Sequence, residues 1–396
     1  DNTTDPYVRK YWHFPSEEGK FDEIDSNLIY EFSYRLEQSI AELADLERQF
    51  IVPLSGGLDS RAIACFLSER YPLTTLTYDT EEEASIAKKV CKALNAEFNY
   101  FSNNQLNNKY FVDQINKSIS DQKVHAVVNQ YFYEPLFKTY FTDNRNKSAI
   151  FDGVYLDVLF SGPYVYKSFD YEDFLRTYGG GSAGLIEHYS DLSKDFIHNT
   201  TLRNVYDELS KEFGPGDGVG RSQFFYSHGR LRRYVLESGN NRLNYSYILS
   251  PGFNYDLADF GYELSLRLRK GLLYKEAMYR VFPNVMKIKF KDSYGIRKAN
   301  TIEELRRQYI NLRLKLSYVT NGLIKYYPFQ LEYFFLRENN LDDYRDMLIK
   351  RNYVSEIFSS NQLKRIFEMV KKKQYMITLF QRVLFIQQFC CRYNLN

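Results

Sequence analysis

The sequence predicts an α/β fold, a doubly wound parallel sheet with additional helices, on three observations. Between Gln49 and Gly153, short β-branched runs alternate with stretches of helical periodicity, the pattern of strands joined by helical crossovers. A glycine-rich turn, "SGGLDS" (Ser55–Ser60), separates the first such run from the first helical stretch. A second turn, Asp152–Asp157, follows the fourth run. In doubly wound sheets, ligands bind outside the carboxyl ends of the strands, where both turns fall.

The elements follow in order. "QFIVPL" (Gln49–Leu54) is short, β-branched and bounded by glycine, so it reads as a buried strand. Ala62, Ile63, Phe66 and Leu67 then recur at helical spacing, with Asp59 and Ser60 suited to a first turn. "LTTLTYDT" (Leu73–Thr80) is the second strand. A helix follows over Glu81–Asn95, with Ala84, Ala87, Val90, Cys91 and Leu94 on one face. Its Glu81, Glu82 and Glu83 suit a helix N-terminus and take a structural role. "AEFNYF" (Ala96–Phe101) and "SAIFDG" (Ser148–Gly153) are the third and fourth strands, with helices between them. Past about residue 165 the chain turns mostly helical and aromatic-rich between two glycine stretches, Gly179–Gly184 and Gly214–Gly220. These read as surface turns, with substrate-gating loops as the alternative. From Leu305 onward the periodicity is helical, and "VKKKQ" (Val370–Gln374) reads as a solvated face. The expected organisation is a lead-in segment and helix over 1–45, an α/β domain over 46–303, and a helical region over 304–396 packed on it.

Composition removes several classes of function. The 396 residues, 44% hydrophobic, suffice for a large core. Lysine and arginine number 52 against 50 acidic residues, so no basic field points to nucleic acid. No window approaches about eighteen uncharged apolar residues, which argues against a membrane span. "DNTTDPYVRK" opens the chain without an apolar leader. The four cysteines, Cys65, Cys91, Cys390 and Cys391, lack metal-ligand spacing; a reducing, cytoplasmic setting is the expectation.

The first turn has the architecture of a phosphate-binding loop without the lysine that the commonest such loop carries. At a helix N-terminus, the backbone N–H groups of Ser55, Gly56, Gly57 and Leu58 can wrap an anion with no side-chain charge. Glycine lets the anion approach, because a Cβ would stand in its way. Asp59 and Asp157 are two carboxylates from loops at neighbouring strand ends, suited to sharing a magnesium ion with phosphate oxygens. Either one, taken singly, could instead cap a helix.

"SGGLDS", placed after a strand and before a helix, resembles the PP-loop ATP pyrophosphatases, which cleave ATP between the α and β phosphates. The resemblance implies a sheet of the adenine nucleotide α-hydrolase-like type, with the loop holding pyrophosphate while AMP passes to a carboxylate. Within that superfamily the chain is similar to the synthetase domain of asparagine synthetase and its relatives, including β-lactam synthetase and lasso-peptide cyclases. Four stretches carry the likeness: "LSGGLDSRAIA", "AIFDGVYLDVLFSGPY", "LSPGFNYDLADFGYEL" and "LLYKEAMYRVFPNVMKIKFKDSYGI". "VRKYWHF", with the single tryptophan Trp12, resembles the family's lead-in, so the likeness spans roughly residues 8 to 300. It implies that Leu54, Ser55, Gly56, Gly57 and Ser60 surround the phosphates. Thr77, Tyr78 and Asp79 close the second strand where the family's adenine pocket lies, and Gly153 admits the ribose and α-phosphate. Asp59 and Asp157 match its magnesium-binding aspartates, and Lys275 resembles a phosphate-contacting lysine.

Lys287, Lys289 and Lys291 alternate with Met286, Ile288 and Phe290. An extended strand would set all three ammonium groups on one face. Such a strand is either a charged edge that deters aggregation or a clamp on departing pyrophosphate. Lys291, nearest the "SYG" that resembles the family's glycine-containing loop, is the choice for the clamp.

Three positions depart from the family's pattern. Val154 stands where Glu or Tyr is frequent, and valine cannot act as a general base; Tyr155, one residue along, should point elsewhere. Asn254 replaces a usual aspartate. No nucleophile cysteine opens the chain, so the glutaminase domain is expected to be absent from it. The function expected is an ATP- and Mg2+-dependent, AMP-forming amide ligase that activates a small-molecule or peptide carboxylate. Its nitrogen would come from a separate glutaminase or another ammonia source. The alternatives are an intramolecular cyclase of the lasso-peptide or β-lactam kind and a nucleotide-binding pseudoenzyme.

Overall fold

The structure is a computed structural model, and it describes residues 19–44, 49–78, 81–101, 148–161, 169–178, 203–211, 218–227, 246–290 and 359–372, with Leu243, Leu312 and Leu316. At its centre is a five-stranded sheet: β1 (Gln49–Pro53), β2 (Leu73–Thr77), β3 (Glu97–Tyr100), β4 (Ser148–Phe151) and β5 (Tyr247–Leu249). Every pairing is parallel, and the order across the sheet is β3-β2-β1-β4-β5. This is the expected doubly wound α/β fold. The chain winds outward from β1 through β2 to β3, then returns to the other side of β1 for β4 and β5. The order therefore reverses between β1 and β4, and a crevice at such a reversal is where open parallel sheets bind ligands.

β1, β2 and β4 are buried along most of their length, as strands of a helix-covered parallel sheet are. Phe50, Ile51 and Val52 of β1 and Ala149, Ile150 and Phe151 of β4 are all buried. β2 is buried throughout although three of its five residues are threonine. Their hydroxyls are satisfied: Thr74 donates to a Glu97 carboxylate oxygen at 2.9 Å, Thr75 to the Glu97 carbonyl at 2.8 Å, and Thr77 to the Leu54 carbonyl at 2.8 Å. β5 has three partly exposed residues, too few to show an alternation, and the sequence pattern did not single it out.

The first helices are α1 (Ser26–Ala44), α2 (Asp59–Ser68), α3 (Glu81–Leu94) and α4 (Leu156–Phe160). Then come α5 (Tyr171–Tyr178), α6 (Arg203–Ser210), α7 (Gly218–Phe225), α8 (Tyr255–Glu263), α9 (Leu272–Val281), α10 (Pro283–Met286) and α11 (Ser360–Lys372). Asp25 caps α1, its Oδ1 accepting the Leu28 N–H at 2.7 Å. Leu28, Phe32, Leu36 and Ile40 form the buried stripe of α1. Phe32 meets Phe160 edge-on at 4.9 Å and Tyr274 at 5.3 Å, so α1 shares one core with α4 and α9.

Two local expectations change. Met286–Phe290 is not a strand: Pro283 opens α10, which ends at Met286, and a turn carries the chain through Ile288 to Phe290. Proline at a first helical position is pre-set for a helix and cannot donate to a sheet ladder. Gly218 and Gly220 are not in a surface turn but buried within α7. Glu81, Glu82 and Glu83 stand in the first turn of α3 as expected, with Glu83 buried. The stretches Val8–Phe14, Gly179–Gly184 and Gly214–Asp217, like most of 304–396, lie outside the described residues. Among the described residues no helix is long and apolar enough to cross a membrane.

Candidate functional site

Two strand-to-helix turns meet at the reversal point. The first follows β1. Leu54 continues the strand by donating its N–H to the Leu76 carbonyl at 2.9 Å, and the Ser55–Leu58 loop delivers the chain to α2. Its two serines organise it. The Ser60 hydroxyl accepts the Ser55 N–H at 3.1 Å, the two hydroxyls lie 3.0 Å apart, and the Ser55 hydroxyl accepts the Gly57 N–H at 3.1 Å. Two of the four N–H groups expected to wrap an anion are thus held by hydroxyls that also donate. The cap position of α2 is Leu58, which offers no side-chain acceptor. An N-terminus without its own cap keeps its N–H groups and positive dipole end for an external anion.

The second turn follows β4. Asp152 Oδ1 accepts the Val154 N–H at 3.2 Å, and Asp157 Oδ1 accepts the Val158 N–H at 2.9 Å. Tyr155, at the head of α4, takes the left-handed conformation with φ of 76°. Its ring stacks on Phe253 at 5.4 Å, and its hydroxyl bonds with those of Tyr262 and Ser227. Burial raises its pKa. Tyr155 accordingly points into the core, as its position next to Val154 suggested, and leaves no acid or base there.

The turns touch at Gly153. A Cβ built on it would lie 2.6 Å from Asp59 Cβ, so only glycine lets the two turns approach this closely. Asp59 keeps some surface as a residue, yet its Oδ1 is sealed from solvent and has no hydrogen-bond partner. Its pKa is raised to about 7, first by desolvation and then by the neighbouring carboxylates of Asp157 and Asp152. The Tyr274 hydroxyl, also buried, draws it partly back without a hydrogen bond of good geometry. Three carboxylates therefore face one another at the crevice, one of them with an unsatisfied buried oxygen. Such a cluster calls for a proton or a cation. No group of three or more acidic, histidine or cysteine side chains is arranged to hold a metal ion by itself among the described residues. Magnesium commonly takes only one or two carboxylates plus substrate phosphates, which is what Asp59 and Asp157 can offer.

Beside the loop is a cavity of about 160 Å³, lined by Pro53, Leu54, Ser55, Leu76, Thr77, Tyr78 and Glu83. It is small against the roughly 300–1,000 Å³ of a drug-sized ligand site, and suits one flat ring between strand ends. Leu54, Ser55, Thr77 and Tyr78, expected around a nucleotide, all line it; Asp79 lies outside the described residues. Glu83, absent from the sequence expectations for the site, lines it too.

Lys275, on α9, is half-buried, and burial lowers its pKa. A side chain at Gly271 would lie 3.6 Å from its Nζ and 3.7 Å from Ser161 Oγ. Lys275 therefore sits by the C-terminal end of α4, whose N-terminal end holds Asp157. Lys291 lies outside the described residues. Lys287 is exposed, and Lys289 pairs with Glu82 at 2.7 Å, at the head of α3. Lys287 and Lys289 lie in the turn after α10, not on the face of a strand.

Asn254, at the family's usual aspartate position, caps α8: its Oδ1 accepts the Leu257 N–H at 3.1 Å and its Nδ2 donates to Glu42 at 2.9 Å. The second bond needs an amide, which is a physical reason for asparagine here. Asp152, Tyr274 and Arg61 escaped the sequence reading. Arg61 had a signal: it follows the loop and opens "RAIACFL", an all-apolar stretch of helix that could only be buried.

Residues 31–126 match the family model described as asparagine synthase. The match begins inside α1 and takes in β1, the Ser55–Leu58 loop, α2, β2, α3 and β3. The chain thus carries a segment similar to the synthetase domain of that family, an ATP-dependent ligase family. No curated protein matches the chain.

Proposed function

We propose that this chain is an ATP-dependent, AMP-forming ligase that adenylates a substrate carboxylate for attack by a nitrogen nucleophile. The observation that carries the reading is the pairing at the sheet reversal of an uncapped, serine- and glycine-lined helix start with a cluster of carboxylates. The first binds anionic phosphates through backbone N–H groups; the second suits the cation that accompanies them. A purine ring would occupy the cavity at the end of β2, Gly153 would admit the ribose and α-phosphate, and pyrophosphate would rest on Ser55–Ser60. Asp59 and Asp157 would hold Mg2+, whose charge would neutralise phosphate oxygens as negative charge grows on the leaving group. Lys275 and Lys291 complete the set as cations toward the departing pyrophosphate.

The nitrogen source is not set by these residues. Val154 and the inward-turned Tyr155 provide no base at the second turn, so the nucleophile must arrive as a neutral amine or lose its proton elsewhere. Free ammonia from a separate glutaminase satisfies this, and so does an amine within the substrate, as in β-lactam or lasso-peptide closure. The decisive experiment incubates the protein and Mg2+ with ATP labelled at the α and γ positions and a panel of amino acid, uronate and peptide carboxylates. AMP and pyrophosphate are the expected products. ADP and orthophosphate as the only products would overturn the proposal.

A further inference from the structure

Arg61 is the most completely buried charged side chain of the site region, with no accessible surface. Its guanidinium lies over the ring of Phe290, 3.6 Å from the centroid. Nη1 donates to the Ile288 carbonyl at 2.7 Å and the Val285 carbonyl at 3.4 Å, and Nη2 donates to the Lys289 carbonyl at 3.0 Å. No carboxylate pairs with it among the described residues. A buried cation without a counter-ion is costly unless fixed dipoles replace its water, and here carbonyls of α10 and of the turn after it, with an aromatic face, do so. Only the Val285 carbonyl belongs to α10; those of Ile288 and Lys289 lie in the turn after it.

The placement matters because Arg61 follows Ser60 directly. One turn of α2 thus joins the phosphate loop to the backbone of Val285–Phe290, and the chain runs from Phe290 straight into Lys291. On the ligase reading, we infer that Arg61 is a positioning residue: it fixes Val285–Phe290 against the phosphate loop, so that pyrophosphate release depends on it while ATP capture does not. A planar fork that bonds several carbonyls and stacks on a ring is not replaced by lysine.

The test compares wild type with Arg61→Lys, which keeps the charge, and Phe290→Leu, which removes only the stacked ring. Each is measured for thermal unfolding, ATP affinity, single-turnover pyrophosphate release, and amide hydrogen exchange of the peptide 283–290. Arg61→Lys should slow release about tenfold to a hundredfold, the scale of a small misplacement. Its ATP affinity should stay within about threefold, and exchange at 283–290 should quicken while that of β1 and α2 holds. Phe290→Leu should shift the same readouts less. Lower unfolding temperature with unchanged release and unchanged exchange in the folded protein overturns the assignment, as does equal loss of affinity and rate. If wild type yields only ADP and orthophosphate, the ligase reading fails separately. The exchange of 283–290 in Arg61→Lys then decides the clamp: quickened exchange supports it, and unchanged exchange overturns it.

Discussion

The turns after β1 and β4 are neighbours in the sheet and opposite in chemistry. The β1 turn carries donors: backbone N–H groups, two serine hydroxyls and the bare start of α2. The β4 turn carries acceptors: Asp152 and Asp157, which crowd Asp59 across Gly153. Each is steadied by a buried arginine that bonds carbonyls. Arg61 reaches from α2 to the end of α10, and Arg269 donates to Val158 and Leu159 at the end of α4, at 3.1 and 3.2 Å. On the proposed reading, the difference teaches how a site for a nucleotide and its cation would be divided. Anion binding would be left to the backbone, which cannot titrate, and cation binding to side chains that repel one another until a cation arrives.

The sharpest break of this arrangement is through pH. Asp59 has a pKa of about 7 in the folded chain, against 3.8 as its ordinary value. Below about pH 4 both folded and unfolded chains hold the proton, and the site carries no penalty. Between about pH 4 and 7 the unfolded chain ionises first, so stability falls as pH rises, by on the order of 2–4 kcal/mol in total. In EDTA and without nucleotide, Asp59→Asn should therefore be more stable than wild type at pH 8, with the gap closing toward pH 4. A gap in chemical-denaturation free energy that does not change with pH would mean that Asp59 ionises freely.

Asp157→Asn removes one acceptor and relieves Asp59. The expected result is a folded protein whose Mg2+-dependent pyrophosphate release drops by about a hundredfold or more, since a misheld cation loses several kcal/mol of charge stabilisation. In the same variant, the pH-dependent stability gap at Asp59 should shrink. If the variant unfolds while nucleotide affinity in its folded fraction is unchanged, Asp157 is a structural cap.

Gly153→Ala tests whether the turns must touch. The new Cβ falls 2.6 Å from Asp59 Cβ, so the backbone of one turn has to move, at about 1–3 kcal/mol for an overpacked site. Release of pyrophosphate should suffer more than stability does, because the displaced atoms are those of the site. Rates and unfolding temperature both at wild-type values would show that the turns have slack.

The donor turn was legible in the sequence and the acceptor turn only in part. "SGGLDS" declares itself because backbone wrapping needs glycine, and glycine is visible as a letter. The acceptor cluster depends on Asp152 and Tyr274 coming close to Asp59 across distant elements, which no local spacing encodes. Lys287 and Lys289 show the opposite failure. Their period of two is clear, but Pro283 and the carbonyl bonds of Arg61 impose a helix end and a turn, and tertiary contacts override alternation in so short a run. The sheet was legible because four of its strands are apolar or β-branched runs; β5 was too short to announce itself.

The smallest effect concerns the turn after β5, where the helix start is capped. Asn254 satisfies the Leu257 N–H, as no side chain does at Leu58. This turn should therefore behave as scaffold. Asn254→Ala should cost about 1 kcal/mol, the usual worth of a lost N-cap, and leave the ATP affinity of the folded protein unchanged. Asn254→Asp keeps an acceptor for the Leu257 N–H but sets a carboxylate against Glu42, which now accepts from the amide at 2.9 Å. It should lie between wild type and alanine in low salt and approach wild type in high salt, where the repulsion is screened. That recovery is worth only a few tenths of a kcal/mol, since Glu42 is exposed. Urea denaturation of the three proteins at both salt concentrations resolves the order. A loss of ATP affinity in folded Asn254→Ala would instead make the β5 turn a third part of the site and end the division into donor turn, acceptor turn and scaffold.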